Sequence, residues 1–418
     1  NLWTSAGKGE PIRIYEAYND TDESQFIVDE VNMLQSEGVP LSDIALLYRS
    51  NAQSRILEHS LFSANIPYRV YGGLRFFERA EVKHALAYIR LIANANDDTA
   101  LLRIINFPPR GIGARGLEQL QEGARQNDCS LWQAATNKVG EGMLGSKGLE
   151  GFVGLIRHMV DQTYGITLGE VAEMVINLSG LMAHYQNDKE GEDRVENLQE
   201  LVTAAVAFSK QDLGNHHNME EDADLMTQFL NHASLEAGDH QADVGHEALQ
   251  LMTVHAAKGL EFHSVFIGGV EEGLFPHEQA AYENGGLEEE RRLMYVAVTR
   301  ARQRLYLSYA QSRMLHGQVR YGIASRFIDE IPEELTKRLN SKPAAKTYAT
   351  GGQYTPAKST QSNANYPFKI GQGVRHGKFG EGVVVSYEGN TNDLAVKVNF
   401  GSAGLKTLML EYAKLEKI

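Results

Sequence analysis

The chain has 418 residues, 42% hydrophobic and 22% charged, with a formal net charge of −14 and one cysteine, Cys129. At about 150 residues per domain this length implies several modules rather than one core. A lone cysteine excludes internal disulfides and multi-cysteine zinc sites and suits a reducing cytoplasm, while no apolar run approaches the ~18 residues of a membrane span and no leader pattern opens the chain.

The opening Asn1-Leu2-Trp3 reads as the cut end of something longer. Pro11 to Tyr15 alternates like a strand, and Thr21 to Glu37 places Ile27, Val31 and Leu34 at helical spacing. Ile44 to Tyr48 is a short apolar run of the buried-strand kind, Asn51 to Ala64 is helical, and Tyr68 to Tyr71 is a third strand ending at Gly72-Gly73. This β-α-β-α-β order predicts a parallel sheet with crossover helices. From residue 76 to 245 the periodicities are helical, over 79–94, 99–106, 115–127, 149–163, 168–178, 194–209 and 224–236. Strand signals return at 249–254 and 264–267, followed by a helix over 288–301 and a strand over 305–309. The predicted fold is an α/β domain built from 1–75 and 246–334, split by an all-helical insertion over 76–245. Residues 335–365, rich in Lys, Ala, Ser, Thr and Asn, are predicted to be a flexible linker. Residues 366–418 contain four or five short strands punctuated by glycine and predict a small β-barrel.

Charge is unevenly spread. Residues 186–247 hold 15 acidic and 3 basic side chains, whereas 291–326 hold eight arginines and no acid. The arginine stretch predicts contact with polyanions, or else simply solvated helix faces. His216-His217 beside Glu220-Glu221-Asp222 has the residue types of a metal site, but low hydrophobicity there favours a disordered acidic loop, and no metal ligands are assigned.

Two stretches carry candidate chemistry. In Thr253 to Phe262, a loop directly after a strand, Glu261 is suited to accept from a ribose, and His255 and Lys258 to meet an anionic backbone. A strand-turn with one buried His and one surface Lys fits the same spacing. The helix at 288–302 opens with three acids that complement its dipole, and Arg300 near its end is placed to leave the core side toward a phosphate. Arg49 follows the strand 44–48, so one carboxyl edge of the sheet is expected to carry both ligands. Asn51 is also a candidate helix N-cap.

The segments MTVHAAKGLEF (252–262) and EEERRLMYVAVTRARQRL (288–305) resemble motifs V and VI of superfamily 1 helicases. YRSNAQSR (48–55), YGGLRFFER (71–79) and VEEGLFPH (270–277) are similar to the UvrD/Rep/PcrA group, and the likeness runs almost end to end. It implies a second RecA-like motor domain split by a helical accessory domain, then a linker and a Tudor-like barrel. It also implies an ATP-dependent 3′→5′ DNA helicase or translocase acting in repair. By that resemblance Arg300 corresponds to the arginine finger reaching the γ-phosphate, Glu261 with Gly259 to the ribose-binding element, and Arg49, Asn51 and His255 to contacts with single-stranded DNA. His316 stands where the family usually has a base-stacking Phe or Tyr, which puts that contact in doubt. Arg110, Gly111, Ile112, Gly113 and Arg115 resemble a duplex-contacting loop, in which glycines allow close backbone approach to phosphates. An interhelical turn explains the glycines equally.

No G-x-x-x-x-G-K-[ST] occurs, so ATP and Mg²⁺ lack their phosphate cradle in this chain. The resemblance places that cradle on a first RecA-like domain upstream, which makes that domain a required partner and predicts that the chain alone is inactive. The barrel, with seven basic and five acidic residues, is expected to dock RNA polymerase; repair proteins are further expected partners, and a membrane is not. A non-enzymatic DNA- and protein-binding adaptor is the alternative from another functional class.

Overall fold

The computed structural model describes residues 9–140, 147–188, 191–212, 219–238, 247–281, 283, 285–315, 317–339, 373–377, 380–388, 395–399, 405–409 and 413–417. Two compact units, Asn1–Lys342 and Pro343–Ile418, make up the chain.

The first unit opens with β1 (Ile12–Ala17), α1 (Asp20–Ser36), β2 (Ile44–Tyr48), α2 (Ser54–Ser63) and β3 (Tyr68–Val70). After a long helical stretch come β4 (Leu249–Thr253), β5 (Phe262–Ile267), α12 (Gly286–Val298), β6 (Ala301–Ala310), β7 (Ser312–Leu315), β8 (Gln318–Tyr321), α13 (Arg326–Asp329) and β9 (Thr336–Arg338). Seven of these strands form one sheet in the order β3-β4-β2-β5-β6-β1-β9, and every pairing is parallel. A parallel sheet covered on both faces needs strands that are apolar throughout, and β2 is buried along its whole length. Ala45 and Leu47 pack on one face with Met294 and Ala297 of α12. Ile44, Leu46 and Tyr48 pack on the other with Val31 and Leu34 of α1 and Leu57 and Leu61 of α2.

Between β3 and β4 the described elements are helices: α3 (Ala80–Ala93), α4 (Asp98–Ile104), α5 (Ala114–Gln126), α6 (Leu131–Gly140), α7 (Lys147–Gln162), α8 (Leu168–Leu178), α9 (Leu181–Gln186), α10 (Gly191–Asp212) and α11 (Met219–Gly238). They share a core of their own, with Phe152, Val175, Leu201 and Phe229 fully enclosed. Thr167 and Glu170 form a capping box that starts α8, the Glu170 carboxylate accepting from the Thr167 amide at 2.7 Å.

Several boundaries differ from the sequence reading. The predicted linker begins too early, because Thr336–Arg338 pairs with Ile12–Ile14 as an edge strand. Its side chains are largely exposed, so it lacks the apolar alternation that marks a strand. The β7–β8 hairpin is hidden for a related reason. Its buried position is Arg313, neutralised by buried Glu23 and Glu271, and a buried arginine reads as solvent-facing in sequence. Glu220, Glu221 and Asp222, expected in a disordered loop, lie in the first turn of α11, while His216-His217 falls outside the described residues.

In the second unit β10 (Gly373–His376), β11 (Gly380–Glu388), β12 (Ala395–Asn399), β13 (Leu405–Met409) and β14 (Leu415–Lys417) form an antiparallel sheet in the order β13-β12-β11-β10-β14. Val374, Val396 and Val398 point into its core, and a register shift between Val384 and Ser386 interrupts β11.

Candidate functional site

The strand ends define two separate places. At the carboxyl edge, β2 delivers Arg49 and Ser50, and the backbone of Val254, just past β4, donates to the Tyr48 carbonyl at 2.9 Å. Arg49 meets Glu290 of α12 with both Nε and Nη2, at 2.8 to 3.1 Å, and that carboxylate is nearly buried. Among the described residues Nη1 of Arg49 has no acceptor, so one edge of the fork stays available. Asn51 donates from Nδ2 to Asp193 of α10 at 3.2 Å, and its carbonyl accepts from Arg79. It is not the cap: Ser50 caps the short helix over Asn51–Gln53, with Gln53 Oε1 accepting from the Arg49 and Ser50 amides. The Ser50 hydroxyl in turn donates to Glu196 of α10. His277 completes this edge, its amide donating to Glu290 at 3.0 Å and its Nε2 lying 3.3 Å from Glu196. The hydrogen bond to Glu196 raises the His277 pKa against the effect of burial. His255 is exposed here, with its pKa lowered by partial burial and then by the Arg49 charge.

Glu261, Gly259 and Arg300 lie at the other end. The Phe262 amide donates to the Arg300 carbonyl at 2.9 Å, and Glu261 and Arg300 immediately precede β5 and β6. Asp43, just before β2, accepts from the His263 amide at the same edge. The expectation that one carboxyl edge carries both ligands is therefore wrong for these residues. The loop 254–261 returns from the carboxyl to the amino edge, and α12 does the same. Glu290 and Arg300 are ten residues apart, about 15 Å along a helix. Gly259 sits in this returning loop at φ 87°, a conformation that favours glycine.

Arg300 differs from its neighbours in what holds it. Its Nε donates to the Val296 carbonyl at 2.9 Å, Nη1 to the Leu260 carbonyl at 2.7 Å and Nη2 to the Thr299 hydroxyl at 3.0 Å. All three acceptors are neutral. By contrast Arg291, Arg292, Arg302, Arg304, Arg313 and Arg326 each pair with carboxylates. The arginine run is thus mostly consumed in holding the fold, against the polyanion reading of the stretch as a whole. Among the described residues only Arg300 and Arg320 of its eight arginines lack a carboxylate partner. Glu261 is exposed and has no hydrogen-bond partner among the described residues, which suits it to accept from a hydroxyl-bearing ligand.

In the glycine loop before α5, Arg110 is turned inward. Nη1 donates to the Ile104 and Pro108 carbonyls at 3.1 Å, and Nη2 to the Tyr88 hydroxyl at 2.6 Å and the Ser179 carbonyl at 3.0 Å. Asn106 Oδ1 takes the Arg110 and Ile112 amides. The expectation that Arg110 projects charge toward phosphates is corrected by these bonds. Gly111, at φ 78°, Gly113 and Arg115 remain exposed, and Gly113 precedes α5 as an N-cap with no side-chain hydrogen bond. Gly148 of α7 lets this loop seat closely, since a Cβ there would meet the Arg110 carbonyl at 2.3 Å.

Residues 1–312 match the family model of the UvrD-like helicase C-terminal domain. The chain belongs to that family. Residues 370–417 match the PcrA/UvrD tudor domain. DNA helicase II of Escherichia coli K12 is 46% identical over 424 aligned residues, which cover all of this chain and 57% of that protein. DNA helicase II of Haemophilus influenzae is 45% identical, and the ATP-dependent DNA helicase PcrA of Staphylococcus aureus 37%, with similar coverage. The chain spans little more than half the length of these relatives, and corresponds to the C-terminal part of DNA helicase II.

Within this UvrD-like helicase C-terminal domain, sequence reasoning assigned no site role to Glu290 and Asp193, which hold Arg49 and Asn51, or to His277 and Glu196, which brace the same edge through Glu290 and Ser50. Glu290 and His277 lie inside quoted family motifs, so a signal for them existed. Asp193 and Glu196 lie in an acidic run whose individual members nothing in the sequence distinguishes. His316 lies outside the described residues. Among the described residues no helix is long and apolar enough to cross a membrane.

Proposed function

We propose that the intact protein is an ATP-dependent 3′→5′ DNA helicase or translocase acting in DNA repair, and that this chain supplies its second motor domain, built from 1–75 and 246–334. The helical residues 76–245 act as its accessory domain, and the C-terminal sheet acts as a Tudor-like barrel that docks RNA polymerase. The observation that carries the reading is the Arg300 guanidinium, held by three neutral acceptors beside an exposed Glu261 within a UvrD-like helicase domain. An arginine anchored on carbonyls keeps its charge for an incoming anion, and its fork geometry matches phosphate oxygens. Arg300 is assigned as the arginine finger, and Glu261 with Gly259 as the ribose-binding element. Bound Mg²⁺ would neutralise phosphate charge; no residue of this chain is assigned to it.

Arg49, Asn51 and His255 are assigned to single-stranded DNA at the carboxyl edge, with Gly111, Ile112, Gly113 and Arg115 assigned to duplex DNA. Coupling between the nucleotide and DNA edges follows from covalent continuity. Both α12 and the loop 254–261 run from one edge to the other, so a shift imposed on Arg300 or Glu261 is transmitted to Glu290, Arg49 and His255. The upstream RecA-like domain supplies the phosphate cradle.

Steady-state ATPase of the purified chain, with and without single-stranded DNA, tests the reading. A background rate in both cases, restored to a DNA-stimulated rate by adding the upstream domain in trans, is the expected outcome. A DNA-stimulated rate from the chain alone would refute the division of the ATP site between two domains.

A further inference from the structure

Helices α2 and α11 meet at a cluster that the helicase reading does not use. His59 of α2 and His232 of α11 both direct a ring nitrogen at Glu236 Oε1, His59 Nδ1 at 2.6 Å and His232 Nε2 at 2.9 Å. His232 and Glu236 are one helical turn apart on α11, while His59 and Glu236 are 177 residues apart in sequence. Glu236 is only 5% exposed. One ligand atom from each of the three lies within 4.8 Å of the others. Tetrahedral ligands at 2.0–2.1 Å from a zinc ion stand about 3.3 Å apart, so the two imidazoles must draw closer together and the carboxylate must swing away from them to admit the ion.

We propose that His59, His232 and Glu236 form a binding site for a divalent first-row transition cation of the Zn²⁺ class, fastening α2 to α11. Two imidazoles and one carboxylate are a zinc-type donor set, and a fourth position faces the adjoining cavity, where a water can complete the tetrahedron. Hard cations such as Mg²⁺ prefer oxygen ligands and are poorly matched to two ring nitrogens. Each imidazole would bind as the neutral tautomer, with its ring proton moved to the nitrogen facing away from the ion.

The charges around the cluster leave room for the ion. Arg75, whose guanidinium donates to the Glu236 and Ala237 carbonyls, is paired with Glu78. Arg55, lining the same cavity, is paired with Glu200. The consequence is mechanical. α2 belongs to the crossover between β2 and β3, whereas α11 is the last helix before the chain returns to the sheet at β4. A bound ion would cross-link the first sheet segment to the end of the helical stretch and restrain movement between them.

The purified 418-residue chain, stripped by chelation and titrated with Zn²⁺ by calorimetry, tests the site. One equivalent is expected to bind, and Co²⁺ in its place is expected to give the visible bands of tetrahedral coordination. His59→Gln and His232→Gln should each weaken binding by more than the 10- to 100-fold that loss of an outer-shell partner costs, while His158→Gln, on an exposed face of α7, should leave it unchanged. Thermal unfolding should move upward with Zn²⁺ in the parent chain and not in the two glutamine variants. Absence of saturable binding, or binding that survives both substitutions, overturns the proposal. If either variant fails to fold, carbethoxylation of the parent chain read by mass spectrometry replaces it: Zn²⁺ must shield His59 and His232 selectively, and unshielded rings overturn the site.

Discussion

The candidate residues at the two edges of the seven-stranded sheet are held in opposite ways. At the amino edge, Arg300 is held only by two carbonyls and a hydroxyl, and Glu261 by nothing among the described residues. At the carboxyl edge, Arg49, Ser50, Asn51 and His277 are met by Glu290, Glu196 and Asp193. Arg300 and Glu261 present charge that is unspent within the fold, whereas Arg302 at the same edge is paired with Asp43. The carboxyl edge presents groups whose partners a ligand must displace or share. Residue type does not separate these cases, since both edges contain an arginine after a strand or helix. What separates them is whether a carboxylate from a distant element arrives to neutralise it.

Substitution of two arginines two residues apart gives the largest expected effect. In the intact protein Arg300→Ala should lower ATPase by about 10³-fold or more, the range in which arginine fingers act, with single-stranded DNA affinity retained. Arg302→Ala removes only an exposed pair with Asp43, which is worth about 1 kcal/mol or less, and should leave turnover near that of the parent. Steady-state kinetics on both variants read the contrast directly. Equal losses in the two would show that the lack of a carboxylate partner at Arg300 has no functional meaning, and unchanged ATPase in both would favour the adaptor.

How much of this was legible beforehand follows the range of the interactions. β2 was visible because a strand buried on both faces is apolar at every position, and α1 because Ile27, Val31 and Leu34 fall on one face. β9 was not, because an exposed edge strand needs only backbone bonds to β1. The site shows the same division. Arg300 and Glu261 were found through motifs contiguous in sequence. The Arg49–Glu290 pair spans 241 positions, the Asn51–Asp193 contact 142, and the His59–Glu236 contact 177, so they exist only after folding. Arg110 erred in the other direction: a glycine-rich loop with an arginine has the composition of a phosphate site, but Tyr88 and three carbonyls turn its head inward.

A change of intermediate size should come from the acidic side of the carboxyl edge. Asp193 is exposed and holds the Asn51 amide group at 3.2 Å. In the intact protein Asp193→Ala should free Asn51 and remove a negative charge from the proposed DNA path, raising affinity for single-stranded DNA by about threefold at low salt. That is the scale of an exposed polar contact, and the gain should shrink as salt rises. Fluorescence anisotropy across a salt series measures it. Weaker binding in the variant would place Asp193 among the groups that support the strand rather than those that compete with it, and would narrow the difference between the edges.

The smallest expected effect concerns the pH response of the same edge. The hydrogen bond to Glu196 raises the folded-state pKa of His277 above its ordinary value of 6.5. Its contribution to stability is therefore complete below about pH 6.5 and is lost as pH rises through the folded value. Glu196 behaves in the opposite sense. Burial pushes its pKa up, but the bonds from His277 and Ser50 prevail and lower it from 4.5, so its contribution is present above pH 4.5 and lost as pH falls through the folded value. The ion pair is then strongest between roughly pH 4.5 and 6.5. With both side chains partly exposed, at 20% and 24%, it should contribute about 1 kcal/mol or less. Urea unfolding of the parent chain and of His277→Gln should show a stability gap near pH 6 that narrows toward pH 9. A gap that is constant across this range would mean that the His277 ring acts through its packing rather than through its charge. The carboxyl edge would then be fixed by Arg49–Glu290 alone, with α10 contributing only the Asn51 and Ser50 contacts.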